Sequence, residues 1–189
     1  MKMHIGSLLK VVSAVVVAAS CQLVSAQTTD TQKFTVTVPS TLSITAPSDR
    51  SQPHDTTNAN QVFLPGTNLA NHWAVSCNSN AGATVALATA TPFTNGTHKQ
   101  DAKLDLAVSS TDNTSGASPV AIWSVTQPSD QTNYLAGTPA GNDATVIAQS
   151  SRPGKGTLAL TVTFVMDNAY STLSQGNYSI DVVGTITAN

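Results

Sequence analysis

Side-chain catalysis requires a nucleophile beside a base, or an acid paired with a base. This chain supplies little material for either. All ten of its acidic residues are Asp, with no Glu. Beyond residue 26 the histidines are His54, His72 and His98, none in a recognisable motif. Gly-x-Ser-x-Gly, His-Glu-x-x-His and the glycine-rich phosphate loop do not occur. A two-carboxylate glycosidase needs two acids at a defined separation, and no spacing among the ten Asp selects a pair. His and Cys are too few and too scattered for zinc. Asp112-Asn113, Asn142-Asp143 and Asp167-Asn168 are oxygen-rich pairs of the kind calcium accepts. They lack a dense Asp-x-Asp-x-Asp pattern, and read as turn residues that satisfy local backbone groups. The expectation is a protein that is not an enzyme, with no catalytic, cofactor-binding or metal-binding residues and no cofactor.

A ligand can also be held without chemistry. Trp73 and Trp123 read as core residues, as large aromatics in a β protein tend to be. Tyr134 is the candidate ligand contact, for polysaccharide, because it sits in the longest irregular stretch, Gln127 to Asp143. Loops of that length inside a compact domain tend to be functional or mobile. His72 alternates with Trp73 and is expected to face solvent.

The elements that would position such a residue are strands. Asn, Gly, Ser, Thr and Val are abundant, while Glu is missing and Lys and Leu are scarce, which disfavours amphipathic helices. Met1 to Ala26 reads as a secretory signal. Lys2, His4 and Lys10 lead, Val11 to Ala19 is an apolar run of nine, and Val24-Ser25-Ala26 offers cleavage before Gln27. An alternative ends the leader at Ala19-Ser20-Cys21, with Cys21 lipidated as an anchor. No other stretch approaches membrane-spanning length. The remainder, 27–189, holds 163 residues, enough for one domain with a real core. Its six basic residues against ten acidic ones give a charge of −4 with no basic cluster, which disfavours nucleic acid. With Cys21 gone, Cys77 stands alone, so an internal disulfide is excluded and burial must supply stability. Cys77 shares a face with Trp73 and Val75, as a buried thiol would; an exposed thiol joining two chains, or a nucleophile, is the other reading.

Strand signals follow in order. Phe34, Val36 and Val38 alternate with Thr, and Leu42 to Thr45 continue the phase past Pro39, as one bent edge strand. Pro47 to Asn60 is a polar loop with Arg50, His54 and Asp55, and Gln61 to Leu64 a short strand. Asn71–Asn78 and Ala83–Thr91 suggest a hairpin about Ser79-Asn80-Ala81-Gly82. Lys103–Ser109, Pro119–Thr126 and Thr145–Gln149 are further strands. In Thr157 to Met166 the even positions are Leu158, Leu160, Val162, Phe164 and Met166, one apolar face of a half-buried strand. Last come Leu173-Ser174-Gln175-Gly176-Asn177-Tyr178 and a strand from Ser179 to Thr187. The spacing of Leu173, Gly176 and Tyr178 suits a tyrosine corner, in which the Tyr hydroxyl bonds backbone a few residues upstream. An ordinary Gly-containing turn before a core Tyr is the alternative. About nine or ten short strands imply an all-β, Greek-key, immunoglobulin-like two-sheet sandwich.

These features together resemble bacterial exported β-sandwich proteins of the pilin and spore-coat-protein-U kind. The resemblance rests on the leader, on Val75-Ser76-Cys77, and on Leu173-x-x-Gly176-x-Tyr178 before Val182-Val183-Gly184-Thr185-Ile186-Thr187. It departs at the second cysteine with which such domains commonly pair the first. It implies a non-enzymatic secreted or cell-surface subunit of a coat, fibre or matrix, structural or adhesive. Its partners would be itself or other cell-envelope proteins. Phe34–Val38 would pair within its own domain or be donated to a neighbour.

Overall fold

The computed structural model describes residues 30–112, 123–136 and 141–189. Met1–Thr37 and Val38–Asn189 are separate units, and every described strand lies in the second. The expected leader, its expected cleavage point at Ala26 and Gln27, and Cys21 lie outside the described residues.

Twelve strands and no α-helix occur among the described residues: β1 (Leu42–Thr45), β2 (Gln61–Phe63), β3 (Trp73–Cys77), β4 (Ala83–Thr89), β5 (Phe93–Thr94), β6 (Lys99–Gln100), β7 (Ala102–Asp112), β8 (Trp123–Gln127), β9 (Ser129–Gln131), β10 (Ala144–Ser150), β11 (Gly154–Phe164) and β12 (Val183–Ala188). The expected nine or ten is exceeded because β5, β6 and β9 are too short to show alternation in sequence. One sheet runs β1-β3-β11-β7-β9, with β2 also beside β11. A second runs β12-β4-β10-β8, β5 and β6 pair as a small third, and all ladders are antiparallel. No described helix is long and apolar enough to cross a membrane.

The two sheets pack against each other through their alternating faces. Val75, Leu104, Leu106, Leu158 and Leu160 from the first meet Val85, Leu87, Val146 and Ala148 from the second. Burying each large aliphatic chain stabilises the fold by about 1.5–3 kcal/mol. Two tryptophans are part of this core, and each lies on a glycine of the opposite sheet. A Cβ on Gly184 of β12 would come within 2.4 Å of the Trp73 ring, and one on Gly156 of β11 within 2.5 Å of Trp123. Cys77 is a buried free thiol whose Sγ lies 3.4 Å from the Arg152 carbonyl.

Several expectations are corrected. β3 and β4 do not form a hairpin, because they belong to different sheets. The chain crosses at 78–82, where Gly82 has φ of 83° and passes so close to Ser150 that a Cβ would sit 1.8 Å from its carbonyl oxygen. Phe34, Val36 and Val38 belong to no ladder and are 82, 87 and 75% exposed; the first strand of the sheet begins only at Leu42. The final strand begins at Val183, while Ser179 makes an isolated bridge to Thr94. The stretch 127–143 holds β9, whose Asp130 Oδ2 accepts from the Thr145 amide, so it is not one open loop. His72 is buried, not exposed, since it precedes β3 and its Nε2 reaches the Gly66 carbonyl at 3.0 Å. Residues 119–122 of the expected Pro119–Thr126 strand lie outside the described residues; the ladder covers Trp123–Gln127.

A second, smaller core builds one end of the molecule. Phe93, Ala102 and Phe164 are buried, with Phe63, Met166, Leu173, Tyr178 and Ile180 packed against them. The Phe164 ring meets Phe93 edge-on at 5.2 Å and Tyr178 at 5.5 Å. The Tyr178 hydroxyl donates to the Ser174 carbonyl at 3.0 Å, four residues upstream. Between them Gly176 takes φ of 153°, and a Cβ there would lie 3.0 Å from the Asn95 amide nitrogen. The loop 47–60 is tied to the same end. Asn60 Oδ1 accepts from the Met166 amide and Asn58 Oδ1 from the Tyr170 amide, and His54 stacks on Tyr170 at 5.0 Å.

Candidate functional site

Beside the small core lies a cleft of about 300 Å³. Three segments wall it: the β5–β6 turn with Thr97 to Gln100, the 3-10 turn Tyr134–Ala136 carrying Tyr134, and the segment holding Asn168, Thr172 to Ser174 and Tyr178. Each wall is fixed by local hydrogen bonding. In the first, Asn95 Oδ1 accepts from the Thr97 and His98 amides at 3.1 and 2.8 Å, shaping an Asn-Gly turn with Gly96 at φ of 94°. The Thr94–Ser179 bridge then binds that turn to the third wall.

The second wall depends on one buried carboxylate. Asp101 is only 3% exposed. Its Oδ1 accepts from the Thr132 hydroxyl at 2.6 Å and from the Tyr134 amide at 3.0 Å, while Thr132 Oγ1 in turn accepts from the Ala102 amide. Asp167 closes the network: its Oδ2 accepts from the Asp101 amide at 2.8 Å, and its own amide donates to Gln100 Oε1 at 3.1 Å. A carboxylate so buried requires such bonds. Asp101 is therefore a positioning group, and its bonds set the Tyr134 turn against β7.

Burial is the main reason the Tyr134 phenol is held above its usual pKa of 10.0, with the charges of Asp167 and Asp101 adding to it. Burial likewise raises Tyr178. Both phenols are thus neutral donors at ordinary pH. Asp167 is raised above 3.8, first by burial and then by the neighbouring Asp101 charge, against the lowering effect of the Asp101 amide. Tyr178 has committed its hydroxyl to Ser174, whereas the Tyr134 hydroxyl makes no hydrogen bond to a described residue.

The structure thus brings together two residues the sequence singled out separately, Tyr134 and Tyr178, with Leu173 between the cleft and the small core. Gly176 stands outside the lining, and Cys77 lies in the main core. Asp101 and Gln100 carried no signal in sequence. Asp167-Asn168 did, as an oxygen-rich pair, but Asp167 serves a backbone amide. No group of three His, Cys or Asp placed to hold a metal ion occurs among the described residues. A second concavity of about 380 Å³ lies on the outer face of the six-stranded sheet, lined by Ser43, Ser76, Ser110, Lys155 and Thr157. There the Ser110 and Thr157 hydroxyls are bonded to each other at 2.6 Å.

Two features bear on association. Phe34, Val36 and Val38 form an alternating apolar row in solvent. β12 is an outer strand of its sheet, with Val183 63% exposed. Comparison with family models, with curated proteins and with solved structures finds no match.

Proposed function

We propose that this is an exported, non-enzymatic structural or adhesive protein of the cell surface, a coat, fibre or matrix subunit that associates with itself or with other envelope proteins. In this reading the leader is removed between Ala26 and Gln27, or Cys21 anchors the chain, and a single domain follows. The domain is an immunoglobulin-like, Greek-key sandwich of the kind found in exported pilin and spore-coat-U proteins.

The observation that carries the reading is the exposure of Phe34, Val36 and Val38. Large apolar side chains alternating in solvent, with no ladder on either side, are suited to pairing with another chain. Burying the three yields roughly 5–9 kcal/mol, against association costs of about 4–15 kcal/mol, so backbone ladder bonds must contribute. The commitment of Asp101 to Thr132 and Tyr134 supports a structural use of the acids over a catalytic one. Sedimentation of the mature chain over a range of concentrations, with fractionation of producing cells, tests the proposal. Concentration-dependent oligomers are expected, lost on changing Phe34, Val36 and Val38 together to Ser, with the protein in the envelope fraction. A strictly monomeric protein found free in the medium refutes it.

A further inference from the structure

We propose that the cleft beside Tyr134 is a binding site for a neutral saccharide, independent of any self-association. Its volume of about 300 Å³ is at the small end of ligand sites, the scale of a short sugar segment. Its lining sets Gln100, Asn168, Thr172 and Ser174 around the aromatic surface of Tyr134 and Tyr178, with Lys99 the one charged side chain besides His98. That combination matches a pyranose, whose ring faces are apolar and whose rim is hydroxyl.

The two tyrosines divide the work. Tyr178 has its hydroxyl tied to Ser174, so it offers ring surface only. Tyr134 is held through its backbone amide by buried Asp101, and its hydroxyl has no hydrogen bond to a described residue. A half-buried phenol that lines a cleft and has no acceptor among the described residues can donate to a ligand. Asn168 is exposed on the opposite wall, its amide able to bridge adjacent hydroxyls. Asp101 bonds the Tyr134 amide and Asp167 bonds the Asp101 amide, so two acids adjoin this wall and disfavour an acidic sugar at the Tyr134 ring. Lys99 and His98 are exposed lining residues.

The test is calorimetric titration of the mature protein with gluco-, xylo-, manno- and chito-oligosaccharides, and with oligogalacturonate as the acidic comparison. At least one neutral series is expected to bind, more tightly than oligogalacturonate. Tyr134→Ala should weaken that binding at least tenfold, and Tyr134→Phe by less. Asn168→Ala, an exposed change that leaves the melting temperature in place, should also weaken it. Ser43→Ala, in the second concavity and outside the cleft, should leave it unaltered. Absence of binding by every neutral series overturns the proposal, as does binding that survives both Tyr134→Ala and Asn168→Ala, or preference for oligogalacturonate. Sedimentation of the same samples reads self-association separately, so either proposal can fail without the other.

Discussion

Replacing Tyr178 by Phe removes one atom and one hydrogen bond. The ring stays against Phe164 at 5.5 Å, so packing is preserved and the change isolates the 3.0 Å bond from Oη to the Ser174 carbonyl. An intramolecular hydrogen bond of this kind contributes about 0.5–1.5 kcal/mol net. Ser174 is only half buried, so water can reach its carbonyl after the change, which keeps the cost near 1 kcal/mol rather than the larger penalty of a sealed orphan. For a domain of this size that corresponds to a fall of about 2–4 °C in melting temperature. In urea the midpoint should drop with the slope unchanged, since the surface exposed on unfolding is the same. Tyr178→Ala also empties the ring's place in the small core and should cost about 3–5 kcal/mol. If Tyr178→Phe melts with the parent while Tyr178→Ala falls as stated, the hydroxyl contributes nothing and the segment Leu173 to Tyr178 is held by ring packing alone.

Three further outcomes are expected. Gly82→Ala places a Cβ 1.8 Å from the Ser150 oxygen at φ of 83°, so it should cost more than the usual overpacking of about 1–3 kcal/mol; a cooperative unfolding curve near that of the parent would contradict the sheet crossing. Asp167 has its carboxyl raised above 3.8, so its contribution is most favourable below that pH and is lost as pH rises through the folded value. Asp167→Asn, which keeps an acceptor for the Asp101 amide, should therefore raise the melting temperature at pH 7, with the advantage shrinking as the solution is acidified. The buried Cys77 thiol should resist Ellman's reagent in the folded chain 27–189 and react fully in denaturant; rapid reaction without denaturant would contradict its burial.

The all-β class and the longest strand were readable because burial in β11 follows period 2, with Leu158 and Leu160 inward and Thr157 and Thr161 outward. Cys77 was readable as core for the same reason, and both tryptophans by their size. Alternation does not say which sheet a strand joins, so β3 and β4 looked like neighbours although Gly82 sends them to opposite layers. Nor does it say whether a partner exists, so Phe34 to Val38 looked like a strand without a ladder to join. His72 was misplaced because its backbone is extended like β3, but the segment before it covers the side chain, whose Nε2 reaches the Gly66 carbonyl. At the cleft, Tyr134 stood out as a rare aromatic in a long connection. Asp101, which fixes it, was one Asp among ten, since its role depends on Thr132 and the Tyr134 amide, more than thirty residues away.

The paired Trp73–Gly184 and Trp123–Gly156 contacts have a mechanical consequence. Each is a protrusion seated in a notch, and the two point in opposite directions across the interface. Sliding one layer past the other by a residue would drive an indole into a Cβ or a strand backbone, so the layers resist shear as one plate. Gly184 belongs to the outer strand β12, whose register against β4 is thereby pinned. Any chain that laid itself along β12 would inherit that register, and a pull applied at this edge would pass through the tryptophan contacts into both sheets at once.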